Sequence, residues 1–222
     1  MIRRTALVLL LIALVAGAAG ASNTLVTIGV RPSIVRFSEK PEIFGAVSSA
    51  KAAETVTVQY RQCGLYPEQF RAFMTTETRD GGAWNLDELF FVGTRTDTSG
   101  SFRAVWGAEV SREVPFKVRA FVDLRPLPRG RGFYVRAGGT QSFWHRRVRV
   151  ERFDLRTRKW ILVRTVLLTE SQSSRNYGGS SLIVASESFR PAVPKGTTLR
   201  AVLPLAAAKP CYLAGYSKLV RA

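Results

Sequence analysis

The chain has 222 residues, 46% of them hydrophobic and 10% aromatic, enough apolar material to fill a core and to exclude a disordered polymer. Its 33 Lys/Arg against 16 Asp/Glu give a formal net charge of +17, and one His with two Cys is too few for a Cys/His metal cluster. The charge is lopsided: residues 23–125 hold 13 Lys/Arg and 12 Asp/Glu, whereas residues 126–222 hold 18 Lys/Arg and 4 Asp/Glu, an asymmetry that concerns partners rather than fold.

Residues 1–21 read as a secretory signal peptide. Arg3 and Arg4 precede a small and apolar run from Ala6 to Ala21, and Ala19, Gly20 and Ala21 form a small-residue cleavage site. That run of 16 residues is shorter than the roughly 20 that a spanning helix needs. Export is therefore expected, with removal after Ala21 or after Ala18, and an uncleaved N-terminal anchor is the alternative. No Cys stands at the cleavage point for a lipid, residues 218–222 form no hydrophobic tail, and no transmembrane span is expected in the mature chain.

Short β-branched runs separated by Gly, Pro, Ser and Thr follow, the pattern of an all-β sandwich. Strands are predicted at 24–30, 42–47, 55–60, 101–106 and 116–122, with further strands around 84–86 and 89–94. In the run 116–122, Phe116, Val118, Ala120 and Val122 share one face, and Trp106 shares one with Phe102 and Ala104, which predicts that it is buried. Residues 126–132, with Pro126, Pro128, Gly130 and Gly132, break the periodicity and are expected to be a linker.

Beyond residue 132 the pattern restarts. Residues 147–153 match 55–60, 188–192 match 101–104, and 198–203 match 116–122, in the same chain order and at offsets of 92, 87 and 81 residues. The most basic stretch, FWHRRVRVERFDLRTRKWILVR at 143–164, holds eight Arg and Lys. Val148 and Val150 alternate there with Arg149 and Glu151. A polar turn at 154–158 and a returning strand at 159–164 complete a predicted hairpin whose arginines face solvent.

The segments VTVQYRQCG, GGAW, TDTSGSFRA and FKVRAFV, and later SESFRPAVPKGTTLRAVLP and PCYLAGYSKLV, resemble the immunoglobulin-like modules of secreted bacterial proteins of actinobacterial type. The resemblance spans 24–222 in two copies. It implies two tandem antiparallel sandwiches, at 23–125 and 133–222, with a role at the cell surface in spacing or binding. It supplies no catalytic residue. The insert between Cys63 and Trp84 is longer than a simple hairpin requires, and the second copy carries most of the charge.

Cys63 and Cys211 are the only cysteines, and export favours their oxidation. A bond between them would staple the two modules; buried free thiols and an intermolecular link are the alternatives. His145 lies beside Arg146 and Arg147, which would lower its basicity, and no nucleophile elbow accompanies it. Asp80, Asp87 and Glu88 are the one close acidic group that a calcium ion could use. Glu151, Asp154, Glu170 and Glu187 are the whole carboxylate supply of the second half, a poor one for glycoside hydrolysis. No enzyme activity and no cofactor are expected.

Two binding surfaces suggest themselves. Arg146, Arg147, Arg149, Arg156, Arg158 and Lys159 are expected to contact an anionic polymer of the cell envelope or an acidic polysaccharide by counterion release. An exported protein does not meet chromosomal nucleic acid. Trp144 and Tyr177 are candidates for stacking on a glycan. A spacer whose charge only keeps it soluble is the competing reading, and a secreted hydrolase a third.

Overall fold

Period-two burial builds this chain. In β4 (Thr55–Gln62), Val56, Val58 and Tyr60 are buried while Thr57, Gln59 and Arg61 turn outward; β7 (Gly100–Trp106) buries Phe102 and Ala104 in the same way. The computed structural model describes residues 25–65, 68–86, 97–177 and 180–222. Within them, nearly every regular element is a strand. The expected signal peptide, the expected strand at 89–94, and Asp87 and Glu88 lie outside these residues.

Two sheets form from residues up to 119. One has the order β1 (Gly29–Arg31), β3 (Glu42–Ala46), β6 (Ala83–Leu86). The other has the order β2 (Ile34–Arg36), β9 (Val114–Arg119), β7, β4, β5 (Arg71–Glu77), with β8 (Glu109–Val110) on β7. All these pairs are antiparallel except β2 with β9, which is parallel. Across the sheets β5 lies against β6, and β1 against β9. Tyr60 stacks on Phe102 at 4.5 Å, and Phe73 and Phe116 meet Phe102 edge-on at 5.5 and 5.7 Å.

Residues from 121 onward form a second pair of sheets. The first has the order β10 (Phe121–Pro126), β11 (Phe133–Gly139), β15 (Ser180–Phe189), β14 (Glu170–Tyr177). The other has the order β13 (Lys159–Leu167), β12 (Arg147–Asp154), β16 (Thr198–Leu203), β17 (Gly215–Tyr216), with β18 (Val220–Arg221) also on β16. Lettered along the chain, this pair reads A-B-E-D against C′-C-F-G, the immunoglobulin arrangement. The earlier pair repeats it as A-B-E against G-F-C-C′, with β2 added beside the last strand. The fold is all-β and immunoglobulin-like.

Two expectations change at the middle of the chain. Residues 116–122 are not one strand. Phe116, Val118, Ala120 and Val122 are all buried as the alternation requires, but the run crosses at Ala120 from β9 in one sheet to β10 in another. Residues 126–132 are not a linker. Phe121 pairs with Gly138 and so on to Pro126 with Phe133, so residues 127–132 are the turn of a β10–β11 hairpin, closed by Leu127 N–H donating to the Gly132 carbonyl at 2.8 Å. Proline and glycine punctuate turns and linkers alike. Gly132 also stands where a Cβ would meet the Phe189 carbonyl oxygen at 2.3 Å.

The two pairs of sheets share one contact zone. Residues after α1 (Leu205–Ala208) return to the first half, where Leu213 N–H donates to the Val118 carbonyl (2.8 Å) and Ala120 N–H to the Leu213 carbonyl (3.2 Å). Gly215 is needed here, because a Cβ would lie 2.3 Å from the Ala120 oxygen. Cys63 and Cys211 are bonded, their Cα atoms 5.4 Å apart, within the usual disulfide range. Ser99 sits between them, its N–H on the Cys211 carbonyl (3.0 Å) and its carbonyl receiving Cys63 N–H (2.9 Å). The Tyr212 ring packs against Phe143 at 5.7 Å and Phe37 at 6.4 Å, so the buried apolar cluster runs unbroken through both halves.

Candidate polyanion-binding face

The basic hairpin is β12 and β13, at the edge of the C′-C-F-G sheet. Val148 and Val150 point inward and are fully buried, leaving Arg147 and Arg149 exposed. The register shifts between Val150 and Glu151, a bulge that sets two buried residues in succession. Glu151 is consequently 5% exposed, yet it is satisfied. Arg149 Nη2 donates to Oε1 at 3.0 Å, and Arg200 donates to Oε2 through Nη2 at 2.8 Å and Nε at 2.9 Å. A carboxylate this enclosed requires such partners.

Arg200 organises the surface around it. Its guanidinium lies 4.0 Å from the centre of the Trp160 ring and 5.6 Å from Tyr216, and Arg119 approaches Tyr216 at 5.7 Å. The Phe153 ring lies tilted to Trp160 at 5.2 Å. A chain of contacts therefore links Phe153, Trp160, Arg200, Tyr216 and Arg119. Trp160 belongs to the four tryptophans that a sugar-stacking platform could draw on, whereas nothing local in the sequence marks Arg200 or Tyr216. Arg200, between buried Leu199 and Ala201, had the same outward pattern as Arg149, but the register that brings them together is a long-range property.

The six expected contacts do not form one patch. Arg146 and Arg147 stand at the start of β12, the end near the contact zone, because Arg149 pairs with Val202 and Val202 with Tyr216. Arg156, Arg158 and Lys159 stand at the opposite turn, roughly 20 Å away along an eight-residue strand. Arg149 is committed to Glu151. Among the described residues Arg146, Arg147, Arg156, Arg158 and Lys159 have no acidic partner at ion-pair distance, and all five are exposed.

The four acids of residues 126–222 each accept a hydrogen bond, and Glu151 alone is buried. Glu151 takes the two arginines. Asp154 organises the hairpin turn, accepting from the Thr157 hydroxyl at 2.7 Å and from Arg156 N–H at 3.2 Å. The Thr157 hydroxyl bond, foremost, holds its carboxyl below the usual carboxylate range. Glu187 accepts from the Thr169 hydroxyl, and Glu170 from Ser186 at 3.3 Å.

Trp144 is 52% exposed, as a stacking residue must be, but His145 covers it at 3.8 Å and its indole N–H is tied to the Thr169 carbonyl at 2.9 Å. Tyr177 ends β14, eight residues beyond Thr169 along the chain. His145 occupies a turn with φ of 60°, its N–H on the Leu168 carbonyl. Trp106, expected in the core, is only partly buried; the deeply buried tryptophan is Trp84. Among the described residues no group of three or more His, Cys, Asp or Glu could hold a metal ion, and no helix is long and apolar enough to cross a membrane.

No family model matches the chain and no curated protein matches it. Among solved structures it is similar to bovine butyrophilin, at 12% identity over 89% of this chain and 98% of that chain, with a TM-score of 0.31. A likeness this loose carries no argument, and the fold rests on the strand order.

Proposed function

We propose that the protein is an exported, non-catalytic pair of tandem immunoglobulin-like modules that adheres to an anionic polysaccharide of the cell envelope through its basic second half. The observation that supports this most is the division of charge described above: residues 126–222 hold 18 Lys/Arg against 4 Asp/Glu, Glu151 is consumed by Arg149 and Arg200, and cations at both ends of the β12–β13 hairpin stand without an acidic partner among the described residues. A flexible polyanion lying along the hairpin would meet both groups and release its condensed counterions, a force that is strong at low salt and indifferent to sequence. The Cys63–Cys211 bond supports an oxidising compartment.

The test is binding of the full chain to an acidic polysaccharide across a salt series, beside a variant with Arg156→Ser, Arg158→Ser and Lys159→Ser. The proposal expects steep salt dependence that becomes shallower in the variant. A second reading, the stiff spacer, draws on the disulfide and the direct passage from β9 to β10, which hold the halves together. It expects no binding at any salt.

A further inference from the structure

The contact zone between the halves leaves a cleft of about 780 Å³ whose walls come from both. Arg36, Phe37, Glu39 and Arg119 contribute from the first half; Phe121 to Asp123 and Arg125 of β10, with Arg136, Tyr216 and Lys218, contribute from the second. Such a volume is that of a small-molecule site rather than of a surface dimple. The floor is apolar: Phe37, Ala120 and Val122 are buried beneath it.

The rim is cationic, and its acids are already used. Asp123 is clasped by Arg125 at 2.6 Å and Arg136 at 3.0 Å, with the Arg136 guanidinium laid 5.3 Å from the Phe121 ring. Glu39 closes its own turn, its carboxylate accepting Arg36 N–H at 2.8 Å. Arg119 donates to the Ala214 carbonyl at 3.2 Å and leans on Tyr216, which leaves its charge without a counter-ion among the described residues. The Arg36 guanidinium and Lys218 ammonium are likewise unopposed there, and both are exposed. Tyr216, 45% exposed, lines the same cleft. Five cations against the carboxylates of Glu39 and Asp123 leave the lining a net charge of +3, and over an apolar floor that charge attracts an anion more strongly than it would on an open face, because less water screens it.

We infer that this cleft is a discrete site for an acidic sugar unit, with its acid group between Arg36, Arg119 and Lys218 and its ring against Tyr216. A mixed set of cations and an exposed aromatic suits a ligand that is both anionic and ring-bearing; a bare anion would leave Tyr216 and the floor unused. The cleft is preorganised, since the disulfide and the Leu213 hydrogen bonds hold both walls, so little ordering opposes binding. The site is separate from the hairpin cations and stands or falls without them.

Calorimetric titration of the full chain with a trisaccharide of hexuronic acid tests it, beside the neutral hexose trisaccharide of the same linkage and inorganic phosphate. Saturable one-to-one binding of the uronate is expected. The affinity should fall about tenfold or more in Arg36→Ser/Lys218→Ser, where both altered side chains are exposed, and likewise in Tyr216→Ala. The hairpin variant Arg156→Ser/Arg158→Ser/Lys159→Ser should bind the trisaccharide as the parent does, even where its grip on long polymer is lost. Absence of saturable uronate binding overturns the inference. So does equal affinity in the parent and both cleft variants, or phosphate binding as tightly as the uronate.

Discussion

Tyr212 carries more of the junction than any other single side chain. It is 2% exposed; its hydroxyl accepts the Thr140 N–H at 2.8 Å and donates to the Asp97 carbonyl at 2.6 Å, joining backbone from both halves. Gly139 makes room, since a Cβ there would lie 2.8 Å from the ring. Tyr212→Phe leaves two buried backbone groups without that partner and is expected to cost about 1–3 kcal/mol in denaturant unfolding. Burial pushes the Tyr212 phenol up to about 12, and burial likewise raises that of Tyr60, whose hydroxyl donates to the Thr98 carbonyl at 2.5 Å. An ordinary phenol titrates near 10. Between about pH 10 and 12 the folded protein therefore keeps protons that the unfolded chain releases, and stability should fall as pH rises through that window. Unfolding free energies measured from pH 8 to 12 check this, and the slope should lessen in Tyr212→Phe. The residue scale was partly legible in the sequence. Cys63 and Cys211 are the only cysteines, so their pairing was one of three readings the sequence left open, whereas nothing in PCYLAGYSKLV distinguished Tyr212 from a surface tyrosine.

Strands were most legible where one face is buried and the other wet. β4, β7 and the first half of β12 alternate and were anticipated almost to their ends. β14, ESQSSRNY, has no apolar alternation; it is a strand because β15 pairs with it at the sheet edge, and a partner is invisible to a local pattern. The passage at Ala120 was hidden for the opposite reason: alternation continues unbroken through a change of sheet. That passage depends on close backbone approach, so Gly215→Ala, with its methyl against the Ala120 oxygen, should destabilise by about 1–3 kcal/mol in thermal or denaturant melts. The hairpin tip should behave differently. Arg156, Arg158 and Lys159 are exposed and Arg158 has a φ of 52°, a conformation that costs an ordinary residue something. Their replacement by Ser should move stability by no more than about 0.5 kcal/mol, measured in the same melts.

At the scale of the whole molecule, one disulfide and one aromatic cluster hold two sets of sheets that the chain joins without a spacer. The Cys63–Cys211 bond closes a loop across 148 positions, for which removal typically costs about 2–5 kcal/mol. Cys63→Ala with Cys211→Ala should lower the denaturant midpoint accordingly while leaving the far-ultraviolet spectrum of a β protein, because the Tyr212 and Leu213 contacts remain. The excess charge of residues 126–222 was legible from composition alone; its arrangement was not, since the register of β12 with β16 decides which cations Glu151 consumes.

The most direct measurement is the affinity of the purified chain for an acidic polysaccharide from low to high salt, run in parallel on the Arg156→Ser/Arg158→Ser/Lys159→Ser variant. An electrostatic adhesion module gives a straight fall of log affinity with log salt, and a smaller slope in the variant, by roughly the number of contacts removed. A flat salt response, or identical slopes in parent and variant, would contradict the account.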